Sequence, residues 1–149
     1  MENDKLKAIY AAIPHRPPFL FVDEIIELSA SKIVTKTEMK ADLDFFRGHY
    51  PGRPVVPGVI LCEVAFQSGA VLLSGLTGKK DGMPVVTRIS EVKFRKMIKP
   101  GDIIETTVEI VEKAGPAYFM KAQISSNGKN AVRCEFAVSI VENEGGNIL

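Results

Sequence analysis

The sequence predicts an α+β domain in which one long buried helix is wrapped by an antiparallel sheet of about five or six strands. Three observations point there. From Val59 to Leu76 the chain is almost continuously apolar, and Val59, Ile60, Leu61, Val64, Phe66, Val71 and Leu72 fall on every side of a helical wheel. A helix that is apolar all round and too short to cross a bilayer is a core helix. Beyond it the period changes to two. Ile104, Thr106, Val108 and Ile110 alternate with Glu105, Thr107 and Glu109, and Tyr118, Met120, Ala122 and Ile124 alternate with Phe119, Lys121 and Gln123, as in strands with one covered face. The 29 Val and Ile against 9 Leu lean the same way.

The elements follow in order. Asp4 can cap a short helix from Lys5 to Ala12 with Leu6, Ile9 and Tyr10 on one side. Pro14, Pro17 and Pro18 end it and force an extended path. Phe19 to Glu27 and Lys32 to Met39 read as strands joined by a turn around Ser29 to Ser31. Pro51-Gly52-Arg53-Pro54-Val55-Val56-Pro57-Gly58 is a stiff loop leading into the central helix. Pro57 suits the helix's first turn, and Gly75 and Gly78 are its stop signals. A further strand lies within Pro84 to Lys96. Asn127-Gly128 is a strong hairpin turn into Ala131 to Val141, which makes the last two strands antiparallel neighbours.

The 149 residues carry no repeat or linker, so a single domain over residues 1–149 is expected. Nineteen basic against 18 acidic side chains leave a net charge of +1, which excludes an electrostatic nucleic-acid binder. Cys62 and Cys134 match neither a disulfide framework nor a zinc spacing; each sits in an apolar run and reads as a buried thiol. Met1 to Lys7 is polar with no hydrophobic signal region behind it, and no run of 18 apolar residues occurs. A cytoplasmic protein without a membrane span is expected.

Glu63 is the most informative residue. It is the only charged side chain between Val55 and Leu76, inside the helix read as buried, and burial favours the protonated acid. Gln67 lies one turn further along the same face. His49 opens the stiff loop, and histidine is the side chain suited to a general base near neutral pH. The Gly58 N–H falls in the first helical turn, where donors are unpaired and the helix dipole is positive. A base, an acid and a backbone donor for a carbonyl oxygen fit one reaction class. The base takes a proton alpha to an acyl carbonyl, and the acid protonates a departing β-hydroxyl. His15, between prolines, reads as structural. No G-x-S-x-G, Walker A or dinucleotide fingerprint is present.

These residues resemble the 3-hydroxyacyl-[acyl-carrier-protein] dehydratases of bacterial fatty acid synthesis. Three blocks carry the likeness: Ile13-Pro14-His15-Arg16-Pro17-Pro18-Phe19-Leu20-Phe21-Val22-Asp23; Gly48-His49-Tyr50-Pro51-Gly52-Arg53-Pro54-Val55-Val56-Pro57-Gly58-Val59 with Glu63 and Gln67; and Lys93-Phe94-Arg95 with Pro100-Gly101-Asp102. The resemblance implies a hot-dog fold, and dehydration of a (3R)-hydroxyacyl group on acyl carrier protein to the trans-2-enoyl product. His49 would be the base, Glu63 the acid and the Gly58 N–H the carbonyl donor, with Val59, Gln67 and Tyr50 about the substrate. It implies no metal or organic cofactor, the acyl group being carried on the carrier's phosphopantetheine. It further implies a homodimer whose sites take His49 and Glu63 from different protomers, a hexamer of three such dimers, and an acyl tunnel along the dimer interface. Lys93, Arg95, Lys96 and Lys99 are the candidate landing patch for the acidic carrier. Tyr50 stands where the family usually has Phe, Phe66 is bulkier than usual, and Met97 replaces a frequent proline. A sister family that also isomerises the double bond places Asp where Glu63 stands. The alternatives are a hot-dog enoyl-thioester hydratase, in which an Asp precedes the His by five as Asp44 precedes His49, a hot-dog thioesterase, and a non-catalytic carrier-binding module.

Overall fold

The computed structural model describes residues 2–77 and 82–141. Its elements are α1 (Glu2–Ala12), β1 (Glu24–Leu28), β2 (Lys32–Glu38), a 3-10 turn (Asp44–Arg47), α2 (Gly58–Ser74), β3 (Met83–Phe94), β4 (Ile103–Ala114), β5 (Ala117–Ser126) and β6 (Lys129–Val141). The six strands form one antiparallel sheet in the order β1-β2-β4-β5-β6-β3. α2, 17 residues and about 25 Å long, lies along the inner face against β2, β3, β4 and β5. This is the hot-dog arrangement.

The period-two runs face as expected. Tyr118, Met120, Ala122 and Ile124 of β5 and Ile104, Thr106 and Val108 of β4 are buried beneath α2. Asn127 and Gly128 both take positive φ (52° and 74°) in the tight turn that registers β5 on β6. The core divides along α2. Leu61 and Val64 pack with Phe46, Val56, Ile98, Ile104 and Ile124, whereas Ala65, Val71, Leu72 and Leu73 pack with α1, β5 and β6.

Several expectations are corrected. α1 begins at Glu2, so Asp4 lies inside its first turn, where an acid complements the helix dipole, and is not its cap. The first strand starts at Glu24, not Phe19. Residues 19–22 belong to no strand, and side chains satisfy Phe21: its N–H donates to Gln67 Oε1 (2.8 Å) and its carbonyl accepts from Thr37 Oγ1 (2.6 Å). α2 starts at Gly58 and ends at Ser74 with Gly75 as its C-cap; Gly78 lies outside the described residues. Nor is α2 covered on every side. Val59 is 76 % exposed, and the stripe Val59, Glu63, Phe66 and Ala70 is left incompletely covered by the rest of the chain. No helix among the described residues is long and apolar enough to cross a membrane.

Candidate active site

His49 follows the 3-10 turn, its backbone N–H donating to Phe45 O at 3.0 Å. The loop after it is stitched down by Arg53 N to Tyr50 O (2.9 Å) and Val56 N to Ile98 O (2.8 Å). His49 Nδ1 lies 2.9 Å from Val55 O. A carbonyl only accepts, so the neutral ring carries its proton on Nδ1 and leaves Nε2 bare. Tyr50 packs edge-on against the ring (centroids 4.7 Å apart), sits at φ 59° and is 65 % exposed.

α2 begins directly after this loop. Its N-cap is Pro57, which has no side chain to bond the first N–H groups, so Gly58 and Val59 present open donors. A Cβ at Gly58 would stand 2.9 Å from Phe94 Cζ, so any larger residue there must displace the Phe94 ring. His49, Gly58 and Phe94 line one groove of about 600 Å³, with Leu61, Met97 and Ile98 as apolar walls.

Glu63 lines a different pocket, of about 260 Å³, with His15, Phe66, Gln67 and the start of β3 (Pro84 to Val86). Five residues of helix separate Gly58 from Glu63, about 140° around the axis, and the two cavities share no lining residue. The carboxylate is not sealed as the sequence suggested: the Glu63 side chain is 22 % exposed, because the sheet leaves this flank of α2 open. Its Oε2 accepts from Gln67 Nε2 at 2.9 Å. Gln67, 1 % exposed, also donates Nε2 to Phe19 O (2.8 Å) besides receiving Phe21 N on Oε1. Gln67 therefore ties Glu63 to the extended segment before β1.

One residue near the acid was set aside by sequence reasoning. His15, read as structural, has its Nε2 3.8 Å from Glu63 Oε2. The available signal was that it is one of two histidines in the chain, on a proline-stiffened segment. Arg95 joins two grooves: with Lys96 it lines the His49 groove, and with Lys93 it lines a second groove on the outside of the sheet. Lys96 Nζ is bonded to Ser126 O (3.2 Å), and Lys99 lies in the turn closed by Asp102, apart from both grooves. Asp44, which a hydratase reading needs, pairs with Arg47 at 3.0 Å on the surface. Among the described residues no group of three His, Cys, Asp or Glu side chains could hold a metal ion.

The hot-dog scaffold thus places an imidazole with a bare nitrogen, open N–H donors and a tethered carboxylate about one helix. Residues 13–135 match the FabA-like domain, and the chain belongs to that family. It is 36 % identical over 137 residues to the 3-hydroxyacyl-[acyl-carrier-protein] dehydratase FabZ of Clostridium acetobutylicum, covering 91 % of this chain and 97 % of the relative. It is 38 % identical over 136 residues to the FabZ of Clostridium novyi, covering 91 % and 96 %. Among solved structures, the dehydratase heterocomplex ApeI:P of Xenorhabdus doucetiae superposes with a TM-score of 0.78 over 91 % of each chain at 14 % identity, a likeness of fold.

Proposed function

We propose that this chain dehydrates (3R)-hydroxyacyl groups on acyl carrier protein to trans-2-enoyl groups, in sites each built from two copies of the chain. The family and its FabZ relatives support the reaction. The observation that carries the assembly is the separation of base and acid along β3. This strand is an edge of the sheet. Its Phe94 end borders the His49 groove, and its Pro84 end borders the Glu63 pocket. Its edge exposes Met83, Ile89 and Phe94. A two-fold axis near Ile89 pairing β3 with β3 of a second copy runs the strands antiparallel. The Phe94 end of one then lies against the Pro84 end of the other, and His49 of one copy faces Glu63 of the next.

In such a site the substrate carbonyl sits on the Gly58 N–H, with Val59 beside it. Bare Nε2 of His49 removes a C2 proton, whose bonding pair becomes the C2=C3 π bond. The C3–O bond breaks as Glu63 gives its proton to the departing oxygen, which leaves as water. The backbone donor acts where negative charge gathers on the carbonyl oxygen. The apolar walls Leu61, Met97 and Ile98 take the acyl chain, and Arg95 and Lys96 are the cations nearest the entrance for an acidic carrier.

The test follows both thioesters by mass spectrometry. Wild type interconverts them, while His49→Ala and Glu63→Gln do not. Co-expressing the two variants in equal amounts restores about a quarter of the wild-type rate, because half the dimers are mixed and each mixed dimer holds one intact site of two. Absence of turnover by wild type at every chain length overturns the reaction, and absence of recovery on mixing overturns the shared site. Release of free carboxylic acid would mark a thioesterase.

A further inference from the structure

We infer that His15 is a positioning residue for Glu63, orienting the carboxyl group before proton transfer and stabilising its negative charge afterwards. The inference rests on the dehydratase reading above and adds a group to its acid half.

The two side chains line the same pocket, with His15 Nε2 3.8 Å from Glu63 Oε2. The other ring nitrogen, Nδ1, is buried and has no hydrogen-bond partner. A neutral imidazole holds one N–H. Placed on Nδ1 it would be a buried donor with nothing to receive it; placed on Nε2 it lies 3.8 Å from Glu63 Oε2. The second tautomer is favoured, since an unmade bond to a buried donor is costly, whereas Oε2 can accept in either protonation state of the acid and most strongly once it is charged.

The ring is held in place from behind. Arg16 Nη1 donates to His15 O (2.7 Å) and Ile13 O (2.9 Å), its Nη2 donates to Tyr10 O (3.1 Å), and the Phe19 ring stacks on His15 at 6.5 Å and 21°. Glu63 cannot draw a further donor from Gln67, whose two amide N–H groups already go to Phe19 O and Glu63 Oε2. Two donors thus converge on Oε2, one bonded and one within a small movement of bonding. Among the described residues none donates to Oε1.

This assigns the two oxygens different tasks. Oε1 carries the proton that passes to the departing C3 oxygen as the C3–O bond breaks. Oε2 is the anchored atom. Glu63 gains its full negative charge only as that proton leaves, so a donor closing on Oε2 stabilises the transition state more than the ground state.

Steady-state kinetics on the 3-hydroxyacyl carrier substrate test the assignment, with melting temperature recorded for each variant. His15→Ala lowers kcat roughly ten- to a hundredfold, as loss of a bond to a charged group does, with KM within about twofold. His15→Gln sets an amide N–H near the Nε2 position and recovers most of kcat. His15→Asn sets it near Nδ1 and does not. Unchanged kcat in His15→Ala, or equal loss in the Gln and Asn variants, overturns the proposal. A second measurement needs no activity. With two histidines in the chain, 15N spectra of labelled wild type, with His49→Ala for assignment, read the His15 tautomer directly. A proton on Nε2 that shifts in Glu63→Gln supports the pairing, and a proton on Nδ1 refutes it. If wild type does not dehydrate the substrate, the dehydratase reading falls, and the spectra still decide the His15–Glu63 contact.

Discussion

The two flanks of α2 hold their reactive side chains by opposite means. His49 is held by backbone: one carbonyl, Val55 O, receives its Nδ1, and the loop around it hangs from Phe45 O and Ile98 O. Glu63 is held by a side chain, through Gln67 at 2.9 Å, with His15 Nε2 3.8 Å away, and Gln67 is itself pinned to Phe19 and Phe21. The difference follows from the tasks proposed for them. A base needs one nitrogen fixed and the other bare, and a single carbonyl achieves both. An acid must be held in both protonation states, and a carbonyl would repel the carboxylate. Only N–H donors serve throughout, and on a helix whose own N–H groups are committed they must come from side chains.

The largest expected effect removes the chemistry on either flank while sparing the scaffold. His49→Ala should lower kcat about a hundred- to ten-thousandfold, since a positioned base contributes on the order of 10²–10⁴. Its stability should change by no more than about 1 kcal/mol, the worth of one partly buried hydrogen bond. Glu63→Gln should lose about as much activity. Single-turnover mass spectrometry and urea denaturation report the two quantities. A His49→Ala chain destabilised by several kcal/mol would show that the loop depends on the ring.

Gln67→Leu probes the opposite design. It leaves the buried Phe21 N–H without a partner, takes a donor from the part-buried Phe19 C=O and frees Glu63 from its tether. The orphaned buried group costs about 1–3 kcal/mol and the part-buried carbonyl less, so a loss of about 2–4 kcal/mol is expected in urea, together with a fall in kcat. A stable Gln67→Leu chain that lacks only activity would show that the amide serves the acid alone.

The same contrast separates what was legible in the sequence from what was not. α2 and the strands β4, β5 and β6 were legible because periodicity records which face is covered, and the Asn127-Gly128 turn because its backbone conformation is chemically restricted. The start of β1 was misjudged because residues 19–22 look like a strand, but Phe21 takes its hydrogen bonds from the side chains of Thr37 and Gln67, 16 and 46 residues away in the chain. His49, Gly58 and Glu63 stood out by residue type against their surroundings. His15 did not, since its place beside Glu63 depends on a contact across 48 positions that no local pattern encodes. The full enclosure expected of α2 failed for a related reason: apolar side chains left outside the chain's own sheet look the same in sequence as those covered by it.

A smaller effect is expected where the base flank meets the helix. Gly58→Ala places a methyl 2.9 Å from Phe94 Cζ and 3.0 Å from Cε1. Phe94 is half-exposed and can swing aside, so the stability cost should stay near the low end of overpacking, about 1 kcal/mol. The methyl also stands beside the N–H proposed to receive the carbonyl, so kcat/KM should fall about tenfold or more. Adding Phe94→Leu should relieve the crowding and restore stability without restoring activity. Recovery of both would mean that Gly58 is needed only to make room for the ring.

The smallest effect at neutral pH distinguishes both flanks from the core between them. Burial, with lesser contributions from Cys62 and Glu135, pushes the Cys134 thiol up to about 12 from its ordinary 9.0, and burial raises Cys62 as well. The folded chain therefore keeps a proton that the unfolded chain releases. The contribution of Cys134 to stability is complete below pH 9.0 and declines as pH rises from there towards about 12. Urea midpoints for wild type and Cys134→Ala should run parallel up to about pH 8 and converge above about pH 9, wild type falling faster. Parallel behaviour throughout would mean that solvent reaches the thiol in the folded state. With convergence confined to the alkaline side, these two thiols contribute nothing to any change in stability or kcat between about pH 6 and pH 8.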